Sequence, residues 1–215
     1  MSSRQSILAN IRAALGREAP GEAETAALRT RLREHPRGPM PAMDWEPLAR
    51  FRERALGLSS TVDEIGAIAE LPPAVGRYLR DAGLPLAGSC WPQFGALDWA
   101  SQRITMQPRP ANGDDKVGLT GVFCAIAETG TLMLRTGAQT DAKNSLLPDT
   151  HIAVVPTSRI VRSIEAGWAL LRREHGELPR QVAFVSGPSR TADIELTLVL
   201  GIHGPYRVHI ILLRD

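Results

Sequence analysis

From Gly118 onward the chain is a series of short apolar runs cut by turn residues, and this patterning restricts its fold most. "GVFCAIA" (Gly121–Ala127) and "GTLMLR" (Gly130–Arg135) read as strands separated by Glu128-Thr129-Gly130. "HIAVV" (His151–Val155) is the next strand. "TSRIVRSIEAGWALLRREHG" (Thr157–Gly176) then reads as an amphipathic helix, with Ile160, Val161, Ile164, Trp168 and Leu171 as its apolar stripe and Gly176 as its stop. "QVAFV" (Gln181–Val185) and "RVHIILL" (Arg207–Leu213) follow as strands. Strand, helix and an all-apolar second strand predict a right-handed βαβ unit in a covered parallel sheet, and so an α/β fold.

The front of the chain is patterned differently. Ile7, Leu8, Ile11 and Leu15 fall on one helical face with Gly16 as its stop, which predicts a docking helix. "EHPRGPMPAMD" (Glu34–Asp44) carries three prolines and reads as extended linker. Asp44 is expected to N-cap a helix to about Leu56, and a further helix is expected over Ala74–Ala82. The expected division is a helical arm and linker over 1–43 and an α/β domain over 44–215.

Composition removes several classes of function. The 215 residues carry a net charge of only +2, which does not point to nucleic acid. No apolar run reaches the ~18 residues of a membrane-spanning helix. Cys90 and Cys124 form no C-x-x-C, so zinc ribbons and iron–sulfur clusters have no ligand set of their own. Both thiols are expected to be reduced and buried, as in a cytoplasmic protein. No nucleotide-binding glycine motif, nucleophile elbow or trusted His–carboxylate metal spacing is present, so no metal or cofactor is expected.

"SGPSRTADIE" (Ser186–Glu195) places two acids and three hydroxyls between apolar runs. The segment from Thr191 to Leu200 is expected to be a buried helix ended by Gly201, with Asp193 and Glu195 in its first two turns. A structural reading has the acids orient nearby backbone, favoured there by the helix dipole. A functional reading places a ligand site at this strand-to-helix turn. Ser186, Gly187, Ser189 and Thr191 would then suit an anion, while Asp193 and Glu195 bind hydroxyls or move protons. Both readings stay open at this level.

"AIAETGTLML", "LLPDTHIAVVP", "SGPSRTADIELTLVLGIHGP" and "RVHIILL", in that order, resemble the lactate utilization protein C family, which carries the LUD domain. The resemblance covers roughly Gly118 to the C-terminus, and the helical front part is similar as well. It implies an α/β sandwich with a mostly parallel sheet, similar to the sugar-phosphate isomerase and CoA-transferase (NagB/RpiA/CoA-transferase-like) superfamily, plus a helical N-terminal extension. It implies a part in bacterial oxidation of L-lactate to pyruvate beside two iron–sulfur partner subunits, with this chain as the cluster-free member. Within its motifs, Glu128 becomes a candidate acid, base or nucleophile, with Thr129, Gly130 and Thr131 as ligand contacts. His203 becomes a catalytic candidate, and Pro188 and Gly204 join Ser186, Gly187, Ser189 and Thr191 as ligand contacts. The bland alternative for Glu128–Thr131 is a turn or bulge that needs Gly130.

His209 alternates within the last strand and is expected to pack. His151 opens a strand, and His35 and His175 lie in polar stretches. Lys143, Asn144 and Ser145 read as a solvated loop that can touch a ligand. Three functions are carried forward: a lactate-oxidising subunit that binds a small anion, as the resemblance implies, a stand-alone isomerase or acyl-transfer enzyme, and a non-catalytic assembly subunit.

Overall fold

The computed structural model describes residues 2–194 and 197–215. Contacts group the chain into two units, the first ending at Ala42 and the second spanning Met43–Asp215. The first unit holds α1 (Ser3–Leu15) and α2 (Glu22–Glu34). α1 starts at a capping box: the Gln5 N–H donates to Ser2 Oγ, and the Ser2 N–H donates to Gln5 Oε1 at 2.8 Å. Gly16 stops it in the left-handed conformation. Neither helix buries a residue, and the Ile7, Leu8, Ile11 and Leu15 face of α1 is exposed.

The second unit runs through α3 (Pro47–Gly57), β1 (Thr61–Ile65), α4 (Leu71–Asp81), β2 (Ala87–Cys90), β3 (Thr105–Pro108), β4 (Val117–Gly121), β5 (Cys124–Ile126), β6 (Thr131–Arg135), α5 (Lys143–Leu146), β7 (Thr150–Pro156), β8 (Ile160–Val161), α6 (Ile164–His175), β9 (Val182–Val185), β10 (Arg190–Ile194), β11 (Thr197–Leu200) and β12 (Arg207–Leu213). Six strands form one sheet in the order β1-β12-β7-β4-β2-β3, and every neighbouring pair is parallel. β4 is buried throughout and β7 nearly so, as strands covered on both faces must be. β12 lies between β1 and β7, although it is far from β1 in sequence. α4 packs on one face of the sheet, with Tyr78 stacked on His209 of β12.

A second sheet has the order β8-β5-β6-β9. One of its faces presents Cys124, Ile126 and Met133 to Leu170 and Leu171 of α6. Its other face sends Ala125, Leu132 and Leu134 into the core of the parallel sheet, beside Ile152, Val154 and Ile210. The result is an α/β sandwich with a mostly parallel main sheet. Cys90 and Cys124 are free and buried, as expected.

Four local expectations need correction. The expected βαβ unit does not form: Ile160 and Val161 pair with β5 and carry the chain to the second sheet before α6 begins. β9 therefore pairs with β6, antiparallel, and not with β7. In the segment expected as a helix over 191–200, the described residues are two antiparallel strands, β10 and β11, in register Arg190↔Leu200 and Thr191↔Val199. Its β-branched Thr191, Ile194, Thr197 and Val199 favour extended backbone over helix. Glu46, not Asp44, caps α3, accepting the Leu48 and Ala49 N–H groups with Pro47 at the first helical position. Finally, the helix expected over 74–82 starts earlier, at Leu71, and β1, β2 and β3 carry no clear alternation to announce them.

Candidate functional site

Two of the motifs meet around the end of α3. The β5–β6 turn closes with the Gly130 N–H donating to the Ile126 carbonyl at 2.9 Å. Gly130 has φ 69°, and a Cβ there would stand 2.6 Å from the Ala55 amide nitrogen. Gly187, just past β9, has φ 73°, and its Cβ would stand 2.4 Å from the Leu58 carbonyl oxygen. Both positions require glycine because residues 54–58 lie directly on them. Arg190 secures the same segment, donating from Nη2 to the Leu58 carbonyl (3.1 Å) and to Ser59 Oγ (2.7 Å). Motif reading misses the 54–59 segment entirely, since nothing in its composition marks it.

Over this support runs a chain of three hydroxyls. Thr131 Oγ1 lies 2.7 Å from Thr129 Oγ1 and 2.7 Å from Ser186 Oγ. The antiparallel pairing of Leu132 with Val185 makes Thr131 and Ser186 the next neighbours across the two strands. Thr131 is buried, whereas Thr129 and Ser186 are exposed at the two ends. Three hydroxyl protons serve two internal bonds, which leaves one proton to donate outward. Arg54, exposed, lies against Gly130 through its carbonyl carbon and Cβ; among the described residues no carboxylate lies within 4 Å of its guanidinium.

Glu128 sits half-buried in the same turn, its N–H donating to the Arg162 carbonyl at 3.0 Å. The Arg162 guanidinium is engaged elsewhere, donating to the Met43 and Trp45 carbonyls at 2.8 and 2.9 Å. The third motif gathers at the base of the β10–β11 pair. Ser189 donates its N–H to the Pro205 carbonyl (2.9 Å) and accepts from the Gly201 N–H (3.0 Å). A Cβ on Gly204 would touch the Ser189 Cβ at 3.4 Å. Pro188 and Thr191 are buried there, and His203 is exposed. Among the described residues no hydrogen bond or ion pair links His203 to Glu128. Asp193 lies in β10, not in the first turn of a helix, so the dipole argument for it lapses; Glu195 lies outside the described residues.

The large shifts fall on core side chains. His151 Nε2 lies 2.8 Å from Thr120 Oγ1, and full burial pushes its pKa down to about 4. His209 Nδ1 lies 2.8 Å from Thr61 Oγ1, and burial pushes this ring down to about 4 as well, against an upward pull from Asp63. Burial raises the Cys90 thiol to about 11 and the Cys124 thiol to about 12, so neither is a ready nucleophile. Among the described residues no three His, Cys, Asp or Glu side chains gather as a metal site.

The chain matches the LUD domain over residues 92–213. A protein of Deinococcus radiodurans named lactate utilization protein C is 34% identical over 181 residues, which cover 80% of this chain and 82% of that protein. Proteins of the same name from Bacillus licheniformis and Bacillus subtilis are each 33% identical. Those matches cover 58% of this chain and 54% of each relative, so the chain spans about half the length of these Bacillus proteins. A crystal structure of a DUF162 family protein from Deinococcus radiodurans superposes with a TM-score of 0.59 at 27% identity, covering 80% of this chain and 99% of that one. The α/β sandwich, the order of its motifs and these relatives agree: the chain belongs to the lactate utilization protein C family, built on the LUD domain.

Proposed function

We propose that this chain serves bacterial lactate utilization as the cluster-free, cytoplasmic subunit of a system that oxidises L-lactate to pyruvate. Relatives that carry the name lactate utilization protein C support the process. The observation that carries ligand binding is the Thr129–Thr131–Ser186 hydroxyl chain, with one outward proton. A small carboxylate is the fitting ligand: it accepts the spare hydroxyl proton, and its negative charge strengthens that hydrogen bond. Glu128, in the same turn, is the group to exchange a proton with a bound hydroxy acid. Asp193, Glu195 and His203 remain candidates through their motifs. In this reading the electrons leave through iron–sulfur partner subunits, because the chain's two cysteines are buried apart in separate strands.

The test is genetic and biochemical together. Deleting the gene in its host should stop growth on L-lactate and spare growth on glucose. Wild-type protein should restore growth, Ser186→Ala with Thr131→Val should not, and tagged protein should retain iron–sulfur proteins. Normal growth of the deletion strain on lactate would end this reading.

A further inference from the structure

A second site lies on the part of the chain between β6 and β9. The β6–β7 loop, α5 and the residues before β9 enclose an open cleft of about 860 Å³ that shares no lining residue with the hydroxyl chain. Its floor is fixed: the Thr136 N–H donates to the Gln181 carbonyl at 3.0 Å, and the Gln181 N–H donates to Thr136 Oγ1 at 3.1 Å. Gly137 and Thr140 exchange backbone hydrogen bonds of 3.3 and 3.2 Å across a tight turn at its rim. That turn buries Thr140 Oγ1 without a hydrogen-bond partner. A buried hydroxyl left unpaired is costly, and a ligand oxygen at this position relieves the cost.

The charges around the cleft have the same implication. Lys143 and Arg180 line it. Arg135 reaches the same turn, with a guanidinium nitrogen 3.3 Å from where a Cβ on Gly137 would stand. None of these three cations has a carboxylate within 4 Å among the described residues. The chain's other lysine, Lys116, is paired with Asp149 at 3.0 Å. Asp141 is the only acid in the lining, and its Oδ1 accepts the Lys143 backbone N–H at 2.8 Å. Three cations against one engaged acid suit a ligand with more than one negative charge.

Size decides between a small acid and something larger. The volume lies within the ~300–1,000 Å³ of organic-ligand pockets. A three-carbon hydroxy acid would leave most of it empty. Leu146 and Leu147 give one wall an apolar surface on which a flat ring can lie. We propose that this cleft binds an organic phosphate of nucleotide size: its phosphates between Lys143, Arg180 and Arg135, an oxygen accepting from Thr140, and its ring on Leu146 and Leu147. This site is separate from the one assigned to the carboxylate above, and the two stand or fall independently.

Calorimetry on the full chain at fixed ionic strength tests it, with adenosine diphosphate and pyrophosphate as probes. Both should bind saturably, adenosine diphosphate more tightly because its ring adds the leucine contacts. Lys143→Ala and Arg180→Ala should each weaken binding roughly tenfold or more, as expected when a charge-assisted contact is lost. Both side chains are exposed, so these variants should fold, and an unchanged melt in the absence of probe checks that they do. Ser186→Ala should bind both probes as wild type does. No saturable binding in the millimolar range, equal binding by the Lys143 and Arg180 variants, or loss of binding in Ser186→Ala would each overturn the assignment.

Discussion

Acidification should unfold this protein through two histidines before its carboxylates titrate. His151 and His209 are 0% and 4% exposed, and burial lowers both rings to about 4 from an ordinary 6.5. The unfolded chain therefore binds protons below pH 6.5 that the folded chain refuses until about pH 4. Stability is thus fully present above pH 6.5, falls as pH drops through this window, and levels below it as far as these groups are concerned. A shift of this size corresponds to about 3 kcal/mol per ring, or roughly 6 kcal/mol for the pair, at about 1.4 kcal/mol per pH unit. That is comparable to the whole stability of many domains, about 5–15 kcal/mol. The carboxylates with lowered pKa, Asp115 beside Arg109 and Glu174 beside Arg159 among them, lose their contribution below the ordinary carboxylate range and so at lower pH. Urea unfolding followed by circular dichroism from pH 7.5 to 4.5 isolates the histidine window. The slope should correspond to about two protons taken up on unfolding near pH 5, and His209→Gln should bring it to about one. A flat stability between pH 6.5 and 4.5, or a slope unchanged by His209→Gln, would refute the reasoning.

Other consequences are as direct. Gly130→Ala and Gly187→Ala should each cost about 2 kcal/mol or more in urea unfolding, since each adds left-handed strain to a clash with backbone of residues 54–58. Thr131→Val should cost about 1 kcal/mol of stability but abolish carboxylate binding measured by calorimetry, because it removes the link between Thr129 and Ser186. Removing residues 1–43 should leave a single cooperative melt, because α1 and α2 bury no residue; loss of the folded signal would make the arm integral to the domain.

The α/β class was legible because a buried parallel sheet leaves a strong trace. β7 and β12 carry the apolar runs Ile152–Val155 and Ile210–Leu213, and no solvent-facing alternation dilutes these. β1, β2 and β3 were not legible for the opposite reason: "TVDEI", "AGSC" and "TMQP" are short, and each carries polar or small residues. The partition of strands between two sheets was hidden too. It depends on the two-residue β8, whose Ile160 and Val161 continue the apolar spacing of α6 and so pass for its first turn. His209 packs, as its alternation says, but only the structure shows Tyr78 lying 3.8 Å over it.

The site was legible as motifs and not as a constellation, and the misplaced helix explains much of the difference. A helix over 191–200 would have placed Asp193 and Glu195 at the positive end of a dipole, ready to face an anion or a proton. Asp193 lies in a strand, which has no such dipole, and Glu195 lies outside the described residues. The hydroxyls and glycines of the same motif have a geometry that can be described. Ser186 completes the chain with Thr131 and Thr129, and Gly187 admits the end of α3, as Gly130 does from the neighbouring turn. Two motifs more than fifty residues apart thus share one physical requirement: each must let residues 54–58 approach closer than any side chain allows. A ligand held on those hydroxyls would sit on a backbone layer fixed from both sides. Positioning there comes from packed backbone, a property that no single residue in either motif announces.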